Sequence, residues 1–217
     1  MKIGMIGSGF VGRTLGARFR DLGHDVTIGS RDAAKPEAVQ WADATGGRAT
    51  DFAGAAEDGE LLVNATPGTV SLDVLTEIGA ERLDGKILWD LSNPLDFSRG
   101  FPPFLSVANQ DSLAEQLQRA FPAVRIVKAF NTVTVTVMVA PEKVGGGEHD
   151  VFLAGNDDGA KAQVRALIEA MGWRAERVRD LGGLDGARAL EMYMPLWLRL
   201  MGTLGTAQFN VRIVGTE

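Results

Sequence analysis

Six residues near the amino terminus, Gly7-Ser8-Gly9-Phe10-Val11-Gly12, carry the spacing G-x-G-x-x-G. Chemically this is a place where backbone N–H groups can meet an anion. Gly7 permits a tight turn, Gly9 lets a pyrophosphate approach the main chain, and Gly12 lets the following helix lie close on a sheet. A helix beginning near Phe10 offers its free N–H groups and positive dipole end to the phosphates. The motif is weak alone and gains force from its surroundings. An apolar run over 2–6 precedes it, and Val11, Leu15, Ala17, Phe19 and Leu22 recur at roughly helical spacing until Gly23.

A second apolar run, 25–29, ends in Ser30 and Arg31, with Lys35 one helical turn further on. Proteins that bind NAD usually place a carboxylate here for the ribose 2′-hydroxyl. A hydroxyl, a guanidinium and an ammonium instead donate to a 2′-phosphate, which a carboxylate would repel. The residues therefore point to NADP. Asp32 is the competing acid, and its type suits the N-cap of a helix starting near Lys35-Pro36.

These groups must be held by a repeating α/β frame. Strands are expected over 60–65, 86–90 and 123–128, with a weaker one over 48–50, and helices over 69–80, 112–121 and 157–171. The alternation predicts an α/β, Rossmann-type doubly wound and mostly parallel sheet with right-handed crossovers. Ligands bind such sheets beyond the carboxyl ends of the strands. There the chain places Thr66-Pro67, Asn93-Pro94 and Phe130-Asn131-Thr132. Such hydroxyls, amides and rigid prolines can hydrogen-bond a nicotinamide carboxamide and fix its ring; they also suit plain turns. No nucleophile or metal cluster accompanies them, and no catalytic residue is assigned.

Composition excludes several other classes. The 217 residues carry 22 Lys and Arg against 28 Asp and Glu, a net charge of −6. That balance argues against nucleic acid or an anionic membrane as a main partner. Cysteine is absent, which removes disulfides and thiolate sites, and His24 and His149 have no ligand spacing. The long charge-free run, 129–141, is too short and too rich in Thr and Asn to span a bilayer. The amino terminus enters a strand at once, so no targeting segment is expected and a cytoplasmic location follows.

Together the glycine motif, Ile28-Gly29-Ser30-Arg31-Asp32 with Lys35, Val127-Lys128-Ala129-Phe130-Asn131-Thr132 and Ala189-Leu190-Glu191 resemble the coenzyme F-420-dependent NADP oxidoreductase family. The sequence is similar also to the NADPH domain of the six-transmembrane metalloreductases. The resemblance implies hydride transfer between NADP(H) and a deazaflavin (coenzyme F-420) or flavin-like acceptor. It implies that Gly7, Ser8, Gly9, Phe10, Val11, Ser30, Arg31 and Lys35 hold the dinucleotide. Thr66, Pro67, Asn93, Pro94, Ala129 and Asn131 would line its nicotinamide end. The chain departs from the family where a histidine is usual near Asn131, and in the aromatic loop 95–107.

Hydride transfer asks a protein mainly for positioning, since the cofactor carries the reactive chemistry. Two other readings stay open: an NADPH-dependent reductase of a small carbonyl or imine, and a non-catalytic NADP-binding redox sensor. Phe97, Phe101 and Phe104 either cover the second ring, with Arg99 meeting an acidic tail, or fill space between sheet and C-terminal helix. The Thr/Val alternation of 132–137 reads as a strand by pattern, and as a loop or short helix by resemblance. Tyr193 is expected in core packing. Residues 1–217 are expected to form one domain. Within it, 185–204 reads as a helix apolar on every side, kinked or split at Pro195, so 185–217 is assigned to a homodimer interface.

Overall fold

The computed structural model describes residues 1–215. The first half alternates as expected: β1 (Lys2–Ile6), α1 (Phe10–Asp21), β2 (Asp25–Ser30), α2 (Pro36–Thr45), β3 (Arg48–Asp51), α3 (Phe52–Asp58), β4 (Leu61–Asn64), α4 (Gly68–Ile78), α5 (Ala80–Leu83) and β5 (Ile87–Asp90). A small hairpin of β6 (Leu95–Asp96) and β7 (Phe104–Leu105) follows, then α6 (Leu113–Ala120), β8 (Arg125–Ala129) and α7 (Val135–Met138). The remainder is β9 (Val151–Gly155), α8 (Asp158–Ala170), β10 (Val178–Asp180), α9 (Ala187–Met192) and α10 (Met194–Leu204).

The main sheet has the order β10-β9-β8-β5-β4-β1-β2-β3. Strands β3 to β8 in that order run parallel, while β9 meets β8 antiparallel and carries β10 parallel to itself. Ile3 of β1 pairs with Val26 on one side and Leu61 on the other, so the chain order reverses at β1/β4, the switch point where doubly wound sheets bind ligands. Each face is covered by its own apolar layer. One gathers Leu15, Phe19, Trp89, Phe130 and Trp173; the other gathers Leu62, Leu75, Leu88, Leu117 and Ile126. Strands covered on both faces read as continuous apolar runs, which is why β1, β4 and β5 are evident from sequence.

Several local expectations are corrected. Asp32 does not cap α2: its Oδ1 accepts from Ala34 N at 2.9 Å, closing a tight turn, and α2 starts with Pro36 after an uncapped Lys35. Of the two readings of 132–137 the structure takes the loop and short helix and not the strand: Val135 opens α7, and Val133, Val135 and Val137 are buried against the first apolar layer. The β-branched residues there serve packing instead of a ladder. Helix α3 and strands β9 and β10 escaped the sequence reading. Asp51, whose carboxylate accepts from Gly54 N at 2.7 Å, marks the α3 start. The C-terminal helix divides at Tyr193, with Pro195 in the first turn of α10, where a missing N–H costs nothing. Met194 is buried, but Leu196 and Leu204 are exposed, so this chain alone does not cover the helix. Residues 216–217 of the proposed interface segment lie outside the described residues.

Candidate functional site

The turn from β1 to α1 has the geometry its glycines require. Gly7 has φ +127°, and a Cβ on Gly12 would lie 1.9 Å from the Gly7 carbonyl oxygen. A Cβ on Gly9 would meet nothing within 4 Å. Nothing in the chain itself crowds that position, and the backbone there lies open to an approaching ligand. Gly9 is also the N-cap of α1 and offers no side-chain cap, leaving the first helical N–H groups free.

Beyond that turn opens a cavity of about 890 Å³ lined by Gly7, Ser8, Gly9, Phe10, Val11, Ser30, Arg31, Lys35, Thr66 and Pro67 among others. Lys35 Nζ reaches Ser8 Oγ at 3.2 Å, so the second loop's cation already leans over the glycine turn. Arg31 is exposed and makes no ion pair among the described residues. Ser30 is buried, and its hydroxyl donates to the Asp32 carbonyl at 2.6 Å. It can thus accept at once, and it donates to an incoming anion only by rotating its proton away from Asp32. The other wall carries Phe52, Val70 and Val74 with the carboxylates of Asp73 and Glu77. One end is thus cationic, and the other is an apolar slot with acceptors at its edge.

Two smaller cavities continue along the strand ends. One, of about 250 Å³, runs from Thr66 and Pro67 past Ser92 and Asn93 to Phe97. The next, of about 230 Å³, is bounded by Phe10, Val11, Leu91, Asn93, Asn131 and Trp197. Asn93 Nδ2 donates to the Asn131 carbonyl at 2.8 Å, and Asn131 Nδ2 returns a bond to Asn93 Oδ1 at 2.9 Å. Asn131 Nδ2 also donates to the Leu190 carbonyl at 3.0 Å, while its Oδ1 is buried without a partner. Phe130, just before it, is fully buried with φ +68°. Such a backbone costs about 1–3 kcal/mol in a non-glycine residue and persists only where packing enforces it. Here the ring centroids of Trp89 and Trp173 lie 5.0 and 5.9 Å away. The strained turn is what swings Asn131 out of the strand line toward the cavity.

Not every expected lining residue is there. Ala129 ends β8 inside the apolar layer, with its carbonyl accepting from Trp89 Nε1 at 3.2 Å; as a central-strand residue it faces the core. Pro94 is buried, and its carbonyl accepts from Ser106 N at 2.8 Å, closing the β6–β7 hairpin. Gly12 acts from beneath, by letting α1 approach the turn. Thr66 Oγ1 is committed to Asn64 Oδ1 at 2.7 Å and Ser71 Oγ at 2.8 Å. Phe97, Phe101 and Phe104 are exposed and fill no gap; Arg99 sits 5.2 Å over the Phe104 ring. Burial raises the Tyr193 pKa and its hydroxyl has no partner, so it stays a protonated packing residue.

Sequence reasoning missed the ionic layer under the amides. Lys128 Nζ lies 2.8 Å from Asp90 Oδ2 and 2.9 Å from Glu191 Oε1, all three fully or almost fully buried. Burial alone would lower the Lys128 pKa, but the pull of the two carboxylates and their hydrogen bonds prevails and raises it. A lysine in the apolar stretch Arg125-Ile126-Val127-Lys128-Ala129 was the available signal, since a buried charge must be paired.

The reversing strand order and the glycine turn at the switch point define a protein of the Rossmann class. Residues 2–94 match the family described as NADP oxidoreductase, coenzyme F420-dependent. A crystal structure of a candidate F420-dependent NADP-reductase from Arthrobacter sp. FB24 is 48% identical, with 99% of this chain and 100% of that one aligned at a TM-score of 0.94. The F420-dependent NADP reductase of Methanothermobacter marburgensis is 28% identical over 92% of each chain. Metalloreductase STEAP3 of Rattus norvegicus is 30% identical over 90% of this chain, which spans only 38% of that longer protein. The chain belongs to the coenzyme F420-dependent NADP oxidoreductase family. No helix among the described residues is long and apolar enough to cross a membrane.

Proposed function

We propose that the protein transfers hydride between NADP(H) and a deazaflavin, coenzyme F420, with simpler flavins as weaker acceptors. The observation that carries this reading is the row of three adjoining cavities along the strand ends, which share Val11 as a wall residue, cationic at Arg31 and Lys35 and amide-lined at Asn93 and Asn131. Ser30, Arg31 and Lys35 hold the 2′-phosphate. The open Gly9 backbone and the free amides of α1 hold the pyrophosphate. Asn131 Oδ1, buried and unpaired, accepts from the carboxamide NH2 at the ring end. NADPH, when bound, supplies the hydride; the chain's contribution is to orient one face of the ring and keep water from it. Phe97 borders the middle cavity, where an acceptor ring would lie, and Arg99 stands next to the path of an acidic acceptor tail.

The test is spectrophotometric loss of NADPH against coenzyme F420, FMN, and a panel of small carbonyls and imines. Fast turnover confined to the deazaflavin supports the proposal. Turnover confined to carbonyls or imines, or tight NADPH binding with no turnover, would replace it. We place the reaction in the cytoplasm and assign α10 to a homodimer interface, since Met192, Leu196 and Leu204 expose apolar surface along one segment. Light scattering should give a dimer that Leu196→Glu converts to monomer; a monomeric native chain would overturn that assignment.

A further inference from the structure

The buried ions lie directly behind the amides. Asp90 and Lys128 each stand three residues before an asparagine of the pair, and Glu191 directly follows Leu190, whose carbonyl holds Asn131 Nδ2. Lys128 Nζ has no hydrogen to spare: it donates to Asp90 Oδ2, the Ser92 carbonyl and Glu191 Oε1. Glu191 in turn accepts from Leu113 N at 2.8 Å and Ala114 N at 3.2 Å, at the start of α6. That helix already has an N-cap, because Ser112 Oγ accepts from Glu115 N at 3.1 Å. Ser112 serves only one of the free N–H groups there and Glu191 completes the cap, but capping alone leaves the contact of Glu191 with Lys128 unexplained. Two carboxylates and one ammonium sealed from water leave an excess negative charge, and burying ions is expensive even when they are paired.

We infer that Glu191, acting with Lys128, is a positioning residue for the ring end of the site. It fixes α9 so that the Leu190 carbonyl stays on Asn131 Nδ2, which leaves Asn131 Oδ1 free to accept from a primary carboxamide. Three donors converge on the Glu191 carboxylate: the Lys128 ammonium and the amides of Leu113 and Ala114. Only an acceptor-only group satisfies all three. A glutamine there turns an NH2 against at least one donor, α9 must shift, and the Leu190 carbonyl shifts with it. The phosphate end is anchored on α1 and the loop after β2, elements that Glu191 does not touch, so the effect is confined to the ring. This inference rests on the NADP reading.

The experiment is calorimetric titration of 2′,5′-ADP, NADP and the 3-acetylpyridine analogue of NADP, which lacks the carboxamide NH2. Glu191→Gln is expected to keep 2′,5′-ADP affinity within about twofold and to weaken NADP about three- to tenfold, the size of one lost hydrogen bond. The native preference for NADP over the acetylpyridine analogue should shrink by the same factor. In an Asn131→Ala background the Glu191 substitution should add no further ring-specific loss. Where Glu191→Gln fails to fold, Glu191→Asp keeps the charge, withdraws it by one methylene, and should give a smaller loss of the same kind. An equal loss for all three ligands, or an unchanged preference between NADP and its analogue, overturns the inference while leaving the NADP reading intact. A folded native protein that binds neither NADP nor 2′,5′-ADP overturns both.

Discussion

Asn93 and Asn131 hold each other across the carboxyl ends of β5 and β8, each donating its amide to an oxygen of the other at 2.8 and 2.9 Å. The exchange fixes which way each amide points. Asn131 cannot flip, because its Nδ2 faces two acceptors, Asn93 Oδ1 and the Leu190 carbonyl. Asn131→Asp keeps the shape and turns a carboxylate oxygen toward those two acceptors. The expected cost is about 1–3 kcal/mol, as for a buried polar group left unsatisfied. At about 2–4 °C per kcal/mol for a chain of this size, thermal unfolding should fall by several degrees. A variant that melts with the native protein would show that the pair is not coupled to stability.

Arg31 should discriminate between cofactors. It lines the large cavity at its cationic end and has no competing ion pair among the described residues. A charge-assisted bond to phosphate contributes roughly 1.5–3 kcal/mol, or about 10- to 100-fold in affinity. Arg31→Ala should raise the KM for NADPH by that order and leave that for NADH nearly unchanged. Steady-state kinetics with both cofactors checks it, and equal shifts would remove the 2′-phosphate role.

How much of this could be read from sequence follows burial. β1, β4 and β5 are covered on both faces, so their apolar runs announce them. Arg31 and Lys35 stand out in the sequence because a position after β2 has a chemical meaning that does not depend on distant residues, and both line the large cavity. The reverse holds for β9 and β10. Val178–Asp180 is a strand only because Val151 lies beside it, and three residues carry no period of their own. Asp32 resembles an N-cap in sequence because an acid before Pro36 suits that role, but in the fold its carboxylate takes the nearer Ala34 amide. The Asp90, Lys128 and Glu191 cluster joins positions up to about a hundred residues apart, and no local pattern encodes which charges meet.

Gly12 is a steric requirement. A methyl there would sit 1.9 Å from the Gly7 carbonyl oxygen, a backbone atom that cannot rotate away. Gly12→Ala must therefore lift α1 from the turn, and with it the free N–H groups at Gly9 and Phe10. Calorimetry should detect little or no 2′,5′-ADP binding even where circular dichroism still reports a folded α/β protein. Retained affinity would mean that the helix start plays no part in holding phosphate.

Acid should weaken the fold partly through Asp111. A hydrogen bond from Arg119, helped by Gln116 and the Ser112 amide, lowers its pKa from 3.8 to about 2. A carboxyl whose folded pKa is depressed stabilises the protein above its unfolded pKa, and that contribution is lost as pH falls through the folded value. The window is therefore from about 4 down to about 2. Asp111→Asn should unfold more easily than native at neutral pH and converge with it toward pH 2. Urea titrations at several pH values check this, and parallel curves across the window would dismiss the role of Asp111.

Lys128→Met should be the most damaging single change in the sheet. It removes the one ammonium between Asp90 and Glu191, which lie at 2.8 and 2.9 Å from it with side chains 0% and 2% exposed. Two carboxylates then face each other out of water without a counter-ion. Breaking a buried pair in this way costs about 3–5 kcal/mol, against a total of about 5–15 kcal/mol for a folded domain. Urea unfolding should show a loss of that size with an unchanged slope. The ionic origin has its own signature. Removing one acid as well, in Lys128→Met/Glu191→Gln, should be less destabilising than the two single losses added together, because the double variant no longer buries two unpaired charges. Additive losses would mean that packing around the lysine stem, and not its charge, holds β5, β8 and α9 together.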